Sequence, residues 1–173
     1  MENKVMSPKQ FVHSYYSCAL ETQDKTGIDA RFILAQAALE TGWGKSAPGN
    51  MFFGIKAKPG TPESKRQLLR TREVLLVDGA KFPEVISIKK LPSGKYEYVV
   101  KDWFRKYDTP EESFTDHAKF FFENRRYKDA LRVKYDPYAF AEAIARAGYA
   151  TDPNYAASLK SVIKTVEKNL PKD

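Results

Sequence analysis

The chain has 173 residues, enough for one domain with its own hydrophobic core. Its 42% hydrophobic and 13% aromatic content exclude a disordered tail. The net charge of +7 sits in one segment: residues 56–106 hold 13 Lys/Arg against 6 Asp/Glu, and the remainder is balanced. Such an excess suits a polyanionic partner (nucleic acid, a bacterial wall, an anionic membrane surface), or reads as a solvated lysine-rich lobe.

The first predicted helix opens at Ser7-Pro8-Lys9-Gln10, an N-cap followed by proline at N1 and a capping-box glutamine. Phe11, Tyr15, Cys18 and Ala19 recur at helical spacing, and Gly27 closes the element. Asp29 caps a second helix that runs to about Gly42. Residues 58–62 then form a loop rich in Pro and Gly. Residues 68–77, 84–90 and 95–107 read as strands, with Pro92-Ser93-Gly94 as a turn and Asp78-Gly79 as a second hairpin signal. Thr109-Pro110-Glu111-Glu112 opens a helix with Phe114, Ala118, Phe121 and Phe122 on its apolar face. A short helix is expected near residues 128–132. Asp136-Pro137 opens the next helix, stopped by Gly148, and Asp152-Pro153 opens the last, with Tyr155, Leu159, Val162, Ile163 and Val166 on one face. The expected fold class is α+β: a mainly helical domain over about 7–57 and 108–170, with a small antiparallel β-lobe over about 66–107.

No apolar stretch approaches the roughly 20 residues of a membrane span, so no membrane insertion is expected. The N-terminal residues show no apolar signal core. Cys18 is the single cysteine and is expected to be a buried, inert thiol. No Cys/His cluster has zinc-ligand spacing, and no Walker loop, dinucleotide fingerprint or Ser/His/Asp constellation is present; neither metal nor cofactor is expected. His13 and His117 stand on helices without partners at ligand spacing and read as bystanders.

The most informative residue is Glu40. It ends the apolar, small-residue run of residues 33–39 and is followed by Gly42-Trp43-Gly44. A carboxylate leaving a buried helix beside an indole suits a proton donor, because burial disfavours its ionised form. The glycines would let a polymer approach the backbone. Taken alone, Glu40 also reads as a helix-terminal surface carboxylate, and Trp43 as core.

Ala37-Ala38-Leu39-Glu40-Thr41-Gly42-Trp43-Gly44 resembles the acid-bearing motif of family 73 of the glycoside hydrolases, bacterial endo-β-N-acetylglucosaminidases that cut peptidoglycan. The resemblance continues through Asn50, Phe53-Gly54-Ile55-Lys56-Ala57, Thr71-Arg72-Glu73 and Phe104-Arg105-Lys106-Tyr107. It ends with Asn124, Arg126-Tyr127 and Ala147-Gly148-Tyr149-Ala150-Thr151-Asp152-Pro153. Met51-Phe52-Phe53 is one residue longer than the family's usual Asn-x-Phe-Gly.

The resemblance implies a lysozyme-like fold with a β-lobe flanking a substrate cleft. It implies Glu40 as general acid, Glu73 as second carboxylate and Tyr149 in the active site. The expected substrate is the peptidoglycan glycan strand, cut at the β-1,4 bond between N-acetylglucosamine and N-acetylmuramic acid. An N-acetylmuramidase and a non-catalytic cationic wall-binding module are the rival readings.

The expected protein is a monomer that acts at the bacterial cell wall and does not bind nucleic acid. A carboxylate separation near ~5 Å would favour a nucleophile and about 6.5–9.5 Å a base activating water; attack by the substrate's own acetamido group is a third route. Glu73 also reads as a surface strand carboxylate paired with an arginine, and Tyr149 as a packing tyrosine. Trp43, Asn50, Phe53, Tyr107 and Tyr127 are the candidate substrate-binding residues, and the aromatic ones among them also read as core.

Overall fold

A computed structural model describes residues 5–172. It divides into two compact units, one spanning residues 5–53 and 108–172, the other Gly54–Tyr107.

The helical unit holds five α-helices: α1 (Pro8–Thr26), α2 (Ala30–Thr41), α3 (Pro110–Glu123), α4 (Pro137–Arg146) and α5 (Tyr155–Lys168). Local chemistry sets most of their ends. Ser7 and Gln10 form a reciprocal capping box on α1, and Gly27 ends it at φ 77°. Asp29 caps α2, Thr109 caps α3 and Asp136 caps α4. Glu112 does not complete a box with Thr109, because its carboxylate accepts from the Asp108 N–H instead.

α2 is the centre of this unit and packs against α1, α4 and α5. Nine of its twelve residues are buried, and seven of those nine are apolar, as expected of a helix covered on most sides; Leu39 and Glu40 at its end are exposed. Ala35, Ala37 and Ala38 are fully buried small residues that let neighbouring helices approach. Phe32, Phe121 and Phe140 stack edge to face around it, with centroids 4.6–6.1 Å apart.

Several expectations are corrected. Cys18 is half-buried, not enclosed. Phe122 is 45% exposed and lies under the Lys134 ammonium, while Phe121 faces the core. The segment near 128–132 forms two 3₁₀ turns, Arg125–Tyr127 and Ala130–Val133. α5 begins at Tyr155, later than Asp152-Pro153 suggests, because the Asp152 carboxylate turns the chain by accepting from the Asn154 N–H.

The second unit is a three-stranded antiparallel sheet of β1 (Arg66–Leu75), β2 (Glu84–Lys90) and β3 (Tyr96–Arg105), in the order β1-β3-β2. β2 and β3 form a hairpin through Pro92-Ser93-Gly94, as expected. Asp78-Gly79 does not make a hairpin, because β1 pairs with β3 and not with β2. The 76–83 connection is tied down by Tyr98, whose hydroxyl donates to Val77 O and accepts from Ala80 N. Residues 55–57 join this sheet: Arg105 N–H donates to Ile55 O and Ala57 N–H to Trp103 O.

Strand alternation gives the sheet two unlike faces. One carries Leu69, Thr71 and Glu73 beside Tyr98, Val100 and Asp102. Tyr98 and Val100 are fully buried there, and Phe82 packs on Tyr98 at 5.5 Å. The other carries Arg70, Arg72 and Lys101 and is open to solvent on β1. The edge strand β2 is exposed throughout and ends in Lys89 and Lys90, charges that discourage edge-to-edge pairing.

Candidate active site

Glu40 is the penultimate residue of α2, where the enclosed helix reaches the surface. Its side chain has exposed area, yet the protein around the carboxyl desolvates it enough to raise its pKa above the ordinary carboxylate range. The two observations are compatible, since area counts the whole residue and desolvation acts on the carboxyl. No described residue forms an ion pair with it. A carboxyl that is part desolvated and unpaired holds its proton at higher pH, as an acid catalyst requires.

The turn after Glu40 is held in an unusual conformation. Gly42, Trp43 and Gly44 have φ of 60°, 59° and 86°, three left-handed residues in a row. The left-handed form costs a residue with a Cβ roughly 1–2 kcal/mol, so Trp43 is a strained position next to the acid. Thr41 fixes the turn: its hydroxyl donates to Ala37 O and accepts from the Gly44 N–H. The Trp43 N–H donates to Ala38 O. Gly42 ends the helix, and Gly44 is buried against Phe11 and Met6, so Gly44 does not offer its backbone to a polymer.

A hydrogen-bonded cluster stands beside Glu40. Gln36, one turn earlier on α2 and 1% exposed, donates from Nε2 to the Tyr155 hydroxyl at 2.9 Å. Its Oε1 lies 2.8 Å from His117 Nε2. Because the amide nitrogen is spent on Tyr155, Oε1 is the acceptor and His117 carries its proton on Nε2. Burial pushes the His117 pKa down to about 3, so this imidazole is neutral. Its ring stacks on Phe53 at 3.7 Å.

Tyr149 lies in the same cluster, 5.3 Å from the Tyr155 ring and 5.7 Å from Phe121. Its pKa is raised by burial first, then by Tyr155 and by the charge of Glu40. Burial, with a further contribution from Glu40, raises that of Tyr155 to about 12. The charge of Glu40 therefore acts on two phenols, both of which stay neutral. Sequence reasoning identified Tyr149 but set His117 aside and passed over Gln36 as a site residue. Gln36 did carry a signal, as the one amide in an otherwise apolar helix run.

The remaining candidates differ in what they offer. Trp43 is half-exposed, with its edge on Phe11 at 5.6 Å, and retains ring surface. Phe53 and Tyr127 are 5% and 1% exposed, so they build walls and do not present a ring face. Asn50 sits at φ 56° and donates from Nδ2 to Asp108 O at 3.2 Å. In the sheet unit, Tyr107 is 8% exposed. Glu73 stands half-buried on the sheet's packed face, gripped by Lys56 at 2.7 Å, and Lys56 also reaches Asp102 at 3.2 Å. Its partner is therefore a lysine, not an arginine; Arg72 pairs with Glu97. Burial alone would lower the Lys56 pKa, but hydrogen bonds to both carboxylates outweigh it and raise the value. Among the described residues, no group of three or more His, Cys, Asp or Glu is placed to hold a metal ion.

The family model described as Mannosyl-glycoprotein endo-beta-N-acetylglucosaminidase matches residues 16–168, most of the chain. The chain belongs to this family. It is 32% identical over 168 residues to Peptidoglycan hydrolase FlgJ of Pseudomonas aeruginosa, covering 93% of this chain and 37% of that protein. It is 33% identical over 167 residues to a probable N-acetylmuramidase of Lactococcus lactis, covering 91% of this chain and 33% of that protein. The chain thus spans about a third of each of these relatives. The solved glycoside hydrolase domain of Salmonella typhimurium FlgJ aligns with a TM-score of 0.69 at 28% identity, over 94% of this chain and 90% of that domain. The α+β architecture is therefore that of family 73 hydrolase domains, and the resemblance noted in the sequence is correct at the level of the family.

Proposed function

We propose that this chain hydrolyses the glycan strands of peptidoglycan at the β-1,4 bond between N-acetylglucosamine and N-acetylmuramic acid, with Glu40 as general acid. The observation that carries this reading is the Glu40 carboxyl: part desolvated, unpaired, and at the open end of a buried helix. A glycosidic oxygen leaves only if it is protonated as its bond to the anomeric carbon breaks, and Glu40 delivers that proton. Glu73, oriented by Lys56, serves as the second carboxylate and activates water as a base. Tyr149, held by burial and by the Gln36–Tyr155–His117 cluster, places its hydroxyl beside the acid and the sugar's acetamido group. Trp43 supplies the stacking surface for a sugar ring; Asn50, Phe53, Tyr107 and Tyr127 shape its surroundings. These side chains supply every proton transfer the reaction needs.

The protein acts at the cell wall as a monomer, with glycan strands and not nucleic acid as its partner. No described helix is long and apolar enough to cross a membrane. One finding favours a second reading: the Lactococcus relatives are named as probable N-acetylmuramidases, which would cut the other glycosidic bond.

Mass spectrometry of borohydride-reduced digests of purified peptidoglycan separates the two. Reduced N-acetylglucosamine ends, absent from the Glu40→Gln digest, support the proposal. Reduced N-acetylmuramic acid ends move the cut to the other bond. Release of neither, with salt-sensitive binding intact in both proteins, would leave a wall-binding module.

A further inference from the structure

The solvent-facing side of the sheet has no part in the chemistry proposed for Glu73, which lies on the opposite face. Strand register places six cations on it: Arg66, Arg70 and Arg72 from β1, Lys101 and Arg105 from β3, and Lys89 from β2. Two carboxylates share the face, Glu97 bound to Arg72 at 2.7 Å and Glu84 to Lys101 at 3.5 Å. The face therefore keeps a large positive excess, and neither Arg70 nor Lys89 is ion-paired to a described residue. This surplus is what the basic bias of residues 56–106 becomes once the sheet sorts its side chains. The packed face shows the contrast, because there Lys56 is consumed by Glu73 and Asp102.

We infer that this face is a binding site for a flexible phosphodiester-linked anionic polymer of the wall, which holds the enzyme on its substrate. Three features select that ligand. Four of the six cations are arginines, whose planar fork matches phosphate oxygens two at a time. Arg70 and Arg72 alternate along β1 about 6.6 Å apart, so an extended polyanion lying along the strand meets charge after charge. Among the strand residues on this face Trp103 is the one aromatic, with the Arg66 guanidinium over its ring at 4.2 Å, so the face lacks the succession of aromatic platforms on which nucleic-acid bases stack. A charged chain without aromatic bases fits; single-stranded nucleic acid does not. That the polymer is a wall component rests on the function proposed above, but the binding itself does not depend on catalysis.

The test uses the catalytically silent Glu40→Gln protein and fluorescently labelled polyglycerol phosphate, with binding followed by anisotropy at rising NaCl. The triple variant Arg70→Gln, Lys89→Gln, Lys101→Gln should bind at least ~10-fold more weakly. Its log K against log salt slope should fall by about three, one for each lost contact. Glu84→Gln should tighten binding, a gain that a misfolded variant cannot mimic. With Glu40 restored, the triple variant should keep full activity on peptidoglycan stripped of phosphodiester polymer and lose its advantage on intact wall. Unchanged affinity in the triple variant would overturn the inference. So would equal affinity for poly-γ-glutamate or for single-stranded DNA, which would mark an undiscriminating cationic surface. A wild-type protein that binds the polymer but cuts neither wall would count against the Glu40 chemistry and not against this site.

Discussion

Glu40 of the helical unit stands apart from the carboxylates of the sheet unit, and also from its own unit's Glu111 and Glu142, which are ion-paired to Lys25 and Lys160. In the sheet unit each of the carboxylates Glu73, Glu84 and Glu97 is gripped by a cation: Lys56, Lys101 and Arg72 respectively. In the helical unit Glu40 has no such partner among the described residues, and the groups that feel its charge are the phenols of Tyr149 and Tyr155. The same residue type therefore gains different chemistry from its neighbours. Desolvation without compensation makes a proton donor; an ammonium 2.7 Å away makes a fixed negative charge with a set direction. On the proposed reading, Glu40 is the acid because it is desolvated and unpaired, and Glu73 is the base because Lys56 holds it ionised and oriented.

The comparison breaks most easily at Glu40. Glu40→Gln should cut turnover of peptidoglycan by about 10³-fold while circular dichroism stays unchanged, within the range for lost general acid catalysis. Glu73→Gln should cost less, about 10²-fold, because an activated water can be partly replaced by bulk solvent. Lys56→Met should cost about tenfold by leaving Glu73 unheld. If Glu73→Gln proves as severe as Glu40→Gln, the division of labour is wrong and the sheet carboxylate takes part in bond cleavage directly.

The cluster behind Glu40 predicts effects on stability. Gln36→Leu strips the partners from His117 and Tyr155 and should cost about 3 kcal/mol in urea unfolding. The folded pKa of His117, about 3, lies below its unfolded value near 6.5. The folded state thus binds fewer protons, and its stability is fully present above pH 6.5 and declines as pH falls from there. The decline should be about 2 kcal/mol by pH 5, and His117→Gln should flatten that part of the profile. The smallest effect belongs to Glu40 itself. Its folded pKa is raised, so stability falls as pH rises through it. Glu40→Gln should melt slightly higher at pH 8, by about 1 °C, with the gain vanishing at low pH.

The helix starts were legible because caps are local: Ser7, Asp29, Thr109 and Asp136 each bond backbone within three residues. Glu40 was legible because one carboxylate interrupts an apolar helix. Sheet order was not, since Asp78-Gly79 marks a turn whether or not its flanking strands pair, and β3 competes for both neighbours through Tyr98 and Val100. The Gln36–His117 and Gln36–Tyr155 bonds join residues 81 and 119 positions apart, which no local spacing reveals. His117 looked idle for that reason. Lys56 as the partner of Glu73 was hidden likewise, because Arg70 and Arg72 stand within three positions of the carboxylate in sequence while strand alternation points both arginines to the other face.

The most direct test of Glu40 as proton donor compares two substrates. Wild type and Glu40→Gln would be assayed on peptidoglycan, whose leaving oxygen needs a proton, and on a chito-oligosaccharide bearing a dinitrophenyl leaving group, which departs without one. A general acid predicts a loss of about 10³-fold on peptidoglycan and less than about tenfold on the activated substrate. Equal losses on both would show that Glu40 acts in some other way, and full activity on peptidoglycan would contradict the account outright.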